Sequence, residues 1–307
     1  MSKTAKWVIG IVAVLVFFFG LFVLTIVSWI FSEENDETIS SGGEKIAVVE
    51  LREPIIFSED IVRQFKKYRE NKSIRAIVFR VESPGGGVAA SQEIYEEVKK
   101  TRDAGRPVVV SMGSVAASGG YYVSCGATRI VANPGTLTGS IGVIFQFMHF
   151  QQLMDKIGVD QTTIKTGKFK DSGSPFRKTT EEEKKYFNLL IGDVYDQFVN
   201  VVAEERGMDR KDVLKYADGR VFTGRQAEEY GFVDTLGTME DAISIAAELG
   251  GIHGKPTVVK ETKRKTIFEK LISDAATEVT KIRQEFLQQP VLQYRFTSPN
   301  KQCEEVP

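Results

Sequence analysis

Val108-Val109-Val110-Ser111-Met112-Gly113-Ser114-Val115-Ala116-Ala117-Ser118-Gly119-Gly120-Tyr121-Tyr122 is the stretch on which the reading of the fold turns. Its first five residues form a short, β-branched apolar run, the pattern of a strand with no solvent-facing side. Small residues follow, and they read as a helix over 115–126. A buried strand feeding a helix is the repeating unit of an α/β fold, and the unit recurs outward in both directions. Strands are expected at 46–51, 76–81, 129–132, 141–145 and 162–165, with helices at 58–68 and 88–102. Several of these strands are apolar throughout, which argues for a layered α/β fold with a mostly parallel sheet. Further on, Thr180 with Glu183 makes a capping box, and Phe187, Leu190, Val194, Phe198 and Val201 recur on one helical face.

Composition narrows the chemistry. The 307 residues carry 40 basic and 41 acidic side chains and no long Lys/Arg run, so the electrostatic footprint of a nucleic-acid binder is missing. Two cysteines, Cys125 and Cys303, form neither a disulfide framework nor a CxxC pair. Two histidines, His149 in an aromatic run and His253 beside glycines, read as structural, so any general base is expected to be another residue type.

From Trp7 to Phe31 the chain runs 25 residues without a charge, more than the roughly 20 that a membrane-crossing helix needs. No small-residue cleavage site ends it, so an uncleaved anchor is expected over 1–31. Lys3 and Lys6 precede it and Glu33, Glu34, Asp36 and Glu37 follow it, which places the N-terminus in the cytoplasm and the rest outside. Residues 32–44 read as a solvated linker. Near the other end, Phe268, Ile272, Ala275, Val279, Ile282 and Phe286 make an amphipathic stripe. Beyond Pro290 the chain is expected to be loosely ordered.

Two glycine-rich turns are the places where chemistry could sit. Ser83-Pro84-Gly85-Gly86-Gly87 follows the strand 76–81, and glycines let a backbone turn sharply and expose its N–H groups to an oxyanion. A plain strand-to-helix turn is the simpler account, and neither GxGxxG nor a P-loop fits. In the second turn, Ser118 between Ala117 and Gly119 has room for a substrate carbonyl, with helix-start N–H groups aimed at it. Close helix–sheet packing would explain the same small residues. A serine needs a base, and a lysine serves if burial disfavours its charged form. Lys170, in the loop-like Gly167-Lys168-Phe169-Lys170-Asp171-Ser172-Gly173-Ser174-Pro175-Phe176-Arg177, is one of many lysines on which composition is silent.

The order of motifs supplies what composition lacks. SPGGG (83–87), MGSVAASGGYY (112–122), LTGSIGVI (137–144), GKFKDSGSPFR (167–177) and ADGRVFTGRQAEEYGFVD (217–234) together resemble the signal peptide peptidase A family in its short, single-repeat form. The resemblance spans about 46–250 and is loose over 251–307. It implies a ClpP/crotonase-like peptidase domain over 45–250, a C-terminal helix and tail over 251–307, and a Ser/Lys-dyad serine protease. Its substrates would be cleaved signal peptides and other apolar peptides at the membrane, and it needs no cofactor or metal. Ser118 aligns with the nucleophile, Lys170 with the general base and Ser140 with the residue orienting that lysine. Gly85 or Gly86, with Gly119, would form the oxyanion hole. Similar enzymes form homo-oligomeric rings or domes in which the lysine reaches a neighbouring serine. For the substrate pocket, Tyr121 and Val88 are candidates. The alternatives are a crotonase-type acyl-CoA hydratase or isomerase, which shares the paired-amide oxyanion hole, and an inactive membrane scaffold.

Overall fold

A computed structural model describes residues 44–261 and 293–295, together with 7, 14, 15 and 17–22 near the start. The chain divides into two compact units, 1–43 and 44–307. In the first, the described residues are helical; most of the expected anchor lies outside them, and among the described residues no helix is long and apolar enough to cross a membrane. The stripe from Phe268 to Phe286 also lies outside the described residues.

The second unit is built on one eight-stranded sheet. Strands β1 (Lys45–Leu51), β2 (Ile74–Ser83) and β4 (Val108–Ala117) lie side by side, and β9 (Thr257–Lys260) extends the edge beyond β1. All these pairings are parallel. Along β4 the sheet forks. Its first half pairs with β5 (Arg129–Ala132), which continues to β8 (Thr235–Leu236), while its second half pairs with β6 (Leu137–Gly139), which pairs antiparallel with β7 (Val221–Thr223). A tenth strand, β10 (Gln293–Arg295), lies antiparallel to the short β3 (Gly85–Gly87), off the main sheet.

Side chains alternate across a strand, and here both faces are covered. Ala47, Val49, Ile77, Phe79, Val81, Val110 and Met112 enter the larger core, while Ile46, Val48, Ala76, Val78, Val109 and Val131 enter a second core beneath Ala242 and Ala246. That double burial is why the strands read as unbroken apolar runs. Helices α1 (Glu59–Glu70), α2 (Val88–Asp103) and α3 (Gly119–Cys125) contribute to the first core, joined by the long α5 (Glu181–Arg206). Helix α8 (Met239–Leu249) covers the second. The short α4 (Gln151–Ile157), α6 (Arg210–Leu214) and α7 (Gly224–Glu229) complete the helices of this unit among the described residues. The capping box at Thr180 is present: its hydroxyl accepts from the Glu183 N–H, and the Thr180 N–H donates to the Glu183 carboxylate at 2.8 Å.

Three expectations change. Residues 115–117 continue β4 rather than starting a helix, because they pair with β6; α3 begins only at Gly119. The strand expected at 141–145 sits instead at Leu137–Gly139, where Thr138 Oγ1 donates to the Ala116 carbonyl at 2.8 Å. Residues 162–165 form no strand: the segment has no sheet neighbour, and Ile164 is 96% exposed.

Phe79 sits edge-on to Phe65 at 5.1 Å, and both rings are fully buried. Phe79→Ala is expected to cost about 3–5 kcal/mol of unfolding free energy, measured by urea denaturation. A loss under about 1 kcal/mol would mean that this face of the sheet is not close-packed.

Candidate active site

The fork in β4 determines where Ser118 sits. Ala117 pairs with Gly139, so the next residue on each strand, Ser118 and Ser140, emerges at the same end of the sheet. Both are held by backbone hydrogen bonds: Ser118 N–H donates to the Gly139 carbonyl, and Ser140 N–H to that of Arg220, each at 2.8 Å. Both take a backbone conformation that L-residues avoid, with φ of 54° at Ser118 and 52° at Ser140, and no other non-glycine residue among those described has a positive φ. Such strain persists only where the surroundings over-determine it, and it concentrates at functional positions. Ser118 stands at the N-cap of α3, and its carbonyl accepts from the Tyr122 N–H at 2.8 Å. Both serines are buried, and neither side chain is hydrogen-bonded within the described residues.

Gly85–Gly87 faces this serine. One edge of the strand is held by Ile55, whose N–H donates to the Gly85 carbonyl at 2.8 Å and whose carbonyl accepts from Gly87 at 2.7 Å. A Cβ on Gly119 would lie 3.1 Å from the Gly86 nitrogen and 2.7 Å from the Ser91 hydroxyl, so only glycine lets these backbones approach. The Gly85 N–H is already engaged by Ser83 Oγ at 3.2 Å. The Gly86 nitrogen lies close to Gly119. The other edge of Gly85–Gly87 carries β10, in the register Gly86 opposite Tyr294.

Lys170 is exposed on the loop after α4, and its amine makes no hydrogen bond or ion pair among the described residues. A single copy thus does not join Lys170 to Ser118. The loop itself is tied down. Arg177 grips Asp171 with two guanidinium nitrogens, at 2.9 and 2.8 Å, and reaches Glu183 at the start of α5. Lys165 adds a further ion pair to Asp171. Arg177 holds both carboxyls well below the usual carboxylate range, Glu183 at about 2. Gly173, at φ 79°, packs so closely on Phe147 that a Cβ there would lie 2.3 Å from the ring.

The pocket candidates need correction. Tyr121 points into the core, its hydroxyl donating to the Phe232 carbonyl at 3.0 Å, and Val88 is buried. The neighbouring Tyr122 stacks on Tyr294 at 5.1 Å instead. Residues 293–295, expected to be loose, are a strand with Tyr294 fully buried, a place that no local pattern in the tail signals. Arg177 and Asp171 were also missed as a clamp, although their charges stand six residues apart in the loop motif. Cys125 is buried and its thiol pushed up to about 12 by loss of water, so it is not a reactive thiol. His149 and His253 are exposed, and among the described residues neither is hydrogen-bonded to Ser118; His149 meets Thr179.

The layered sheet thus sets a strained serine at a strand end, at a helix start and beside a glycine strand, the kind of geometry that can stabilise an acyl oxyanion. Comparison with known proteins gives the family. The peptidase family S49 model matches residues 100–253 and the Clp protease model residues 47–136. A protein provisionally named signal peptide peptidase SppA in Enterococcus faecium is 39% identical over 227 residues, covering 69% of this chain and 66% of that protein. Provisionally named proteases of a Synechocystis strain and of Methanocaldococcus jannaschii are 43% and 38% identical, covering 69% and 85% of this chain and 77% and 86% of theirs. The chain belongs to peptidase family S49. Family membership displaces the acyl-CoA hydratase alternative.

The depressed Glu183 carboxyl fixes how the Arg177 clamp responds to pH. A carboxyl whose pKa falls from 4.5 to about 2 on folding adds stability above pH 4.5 that is lost as pH falls toward 2. Arg177→Met should lower the melting temperature by a few degrees at pH 7. The gap to wild type should stay constant down to about pH 5 and close between pH 4.5 and about 2. A gap that closes between pH 8 and 6 would contradict the clamp.

Proposed function

We propose that this chain is a serine endopeptidase that uses Ser118 as nucleophile and Lys170 as general base, the two meeting between copies of the chain. The observation that carries the reading is the pair of strained serines, Ser118 and Ser140, set side by side against Gly86 and Gly119. Neutral Lys170 takes the Ser118 proton, and Oγ adds to the peptide carbonyl. The N–H groups of Gly119 and Gly86 hold the oxyanion. As the C–N bond breaks, the amine product leaves with the proton from Lys170, and water, deprotonated by the same lysine, then hydrolyses the ester. Ser140, beside Ser118, accepts from the incoming lysine and orients it.

A lysine works as a base only where water is excluded, and Lys170 is exposed in the single copy. Its surroundings supply a reason for assembly. From 148 to 189 the chain exposes Met148, Leu153, Ile157, Ile164 and Leu189, all more than half accessible. A homo-oligomer that covers this surface would dry the amine while delivering it to the next copy's serine. The uncharged run from Trp7 to Phe31 supports a single membrane anchor with the peptidase domain outside the cytoplasm, beside apolar substrates such as cleaved signal peptides.

Ser118→Ala and Lys170→Ala should each reduce hydrolysis of a fluorogenic leucine-rich peptide by at least about 100-fold, the scale on which removal of one transition-state donor acts. Mixing the two variants should restore part of the activity, because one copy would provide the lysine and another the serine. Full activity in either variant removes the dyad. Two dead variants that never complement, in a wild type that is active, place both groups in one copy.

A further inference from the structure

The turn Ala217-Asp218-Gly219-Arg220 ahead of β7 carries no reacting group, yet one peptide unit connects it to both strained serines. The Gly139–Ser140 peptide is trans, so its C=O and N–H point in opposite directions. Its carbonyl accepts from the Ser118 N–H on one side, and its N–H donates to the Arg220 carbonyl on the other, each at 2.8 Å. The Gly219 N–H donates to the Ile141 carbonyl at 3.0 Å, so the β6–β7 ladder runs on past its last paired residues, Gly139 and Val221. Phe222, on β7, packs so closely on Gly139 that a Cβ there would lie 2.4 Å from the ring. The turn is itself fixed. Asp218 Oδ1 accepts from the Arg220 N–H at 3.2 Å and from the guanidinium Nε at 2.7 Å, and Oδ2 takes Nη2. That guanidinium holds the Asp218 carboxyl down to about 2, so it is a carboxylate at neutral pH. The Ala217 carbonyl accepts from the Tyr195 hydroxyl of α5 at 2.7 Å.

We propose that Asp218 is a positioning residue for the reaction: by holding the Arg220 backbone it locks the Gly139–Ser140 peptide, and through that peptide it sets where Ser118 leaves β4 and where Ser140 stands beside it. Its place in the reaction rests on Ser118 being the nucleophile, whereas the hydrogen bonds stand without that reading. A positive φ at a non-glycine residue persists only where its neighbours hold it, and each serine is held through this one peptide. With the Arg220 carbonyl free to swing, both serines would relax together. A nucleophile displaced by about 1 Å can lose on the order of 100-fold in rate. Asp218 and Arg220 are exposed, and an exposed ion pair adds little to global stability, so the effect of the pair is local.

The full-length chain carrying Asp218→Ala is compared with Asp218→Asn, whose side-chain oxygen still accepts from the Arg220 N–H. On the fluorogenic leucine-rich peptide, Asp218→Ala should lower kcat about tenfold with KM within about twofold of wild type, and Asp218→Asn should recover most of the loss. Residue-resolved hydrogen exchange needs no activity. It should show the Ser118 and Ser140 amides of Asp218→Ala exchanging faster than in wild type, with Ile77 and Val78 of β2 unchanged. Unchanged kcat in Asp218→Ala, unchanged exchange at the two serine amides, or an equal loss in Asp218→Asn overturns the positioning role. The two readings fail in different ways. If Ser118→Ala is dead and Asp218→Ala matches wild type in both measurements, the positioning role falls and the nucleophile stands. If Ser118→Ala stays active, the nucleophile falls, and the positioning role falls with it whatever the exchange shows.

Discussion

A parallel strand that changes partners halfway along is the constraint from which the rest of this molecule follows. β4 leaves β5 after Ser111 and joins β6 from Val115, so Ala116 is held on both sides, opposite Ser83 of β2 and Thr138 of β6. With Ala117 fixed opposite Gly139 and the Ser118 N–H bonded to the Gly139 carbonyl, the chain has no room to enter α3 gradually. It turns within one residue, and Ser118 adopts a positive φ that costs on the order of 1–3 kcal/mol. The packing of both cores around β4 offsets that cost. The turn leaves the serine at the helix start, with the Gly119 amide beside it and the glycine strand in front.

Two levels of organisation divide the chemistry. In the proposed mechanism one copy supplies the serine and the amides. The loop bearing Lys170 is anchored through Arg177 to the start of α5, but its amine looks outward. A base on a surface loop is idle while water solvates its charge. Under the proposed mechanism association would do more than raise local concentration: it would supply the dry environment in which a lysine can accept a proton. An isolated copy would accordingly be protected from cleaving whatever lies near it.

Much of this was legible in the chain. The apolar runs at 46–51, 76–81 and 108–112 announce buried parallel strands because both sheet faces are covered, and the Thr180 capping box marks a helix start to the residue. Ser118, Gly85, Gly86 and Gly119 stand out as small residues at two turns, and the ordered motifs suggest roles for them. What could not be read is non-local. Val115–Ala117 looked helical because strand pairing with β6, not propensity, makes them extended. Residues 162–165 looked like a strand, although nothing in the sheet is placed to receive them. Tyr294 lies about two hundred residues from the glycine strand it pairs with, and no local pattern carries such a contact.

The claim that all of this serves acyl transfer at one strained hydroxyl is tested most directly by covalent labelling. The assembled full-length chain is treated with a serine-directed fluorophosphonate, and the modified residue is located by peptide mass spectrometry. The account predicts a single adduct on Ser118, formed more slowly when Lys170 is replaced and absent from the monomer. An adduct on another serine, or an assembled and proteolytically active chain that leaves Ser118 unmodified, would contradict it.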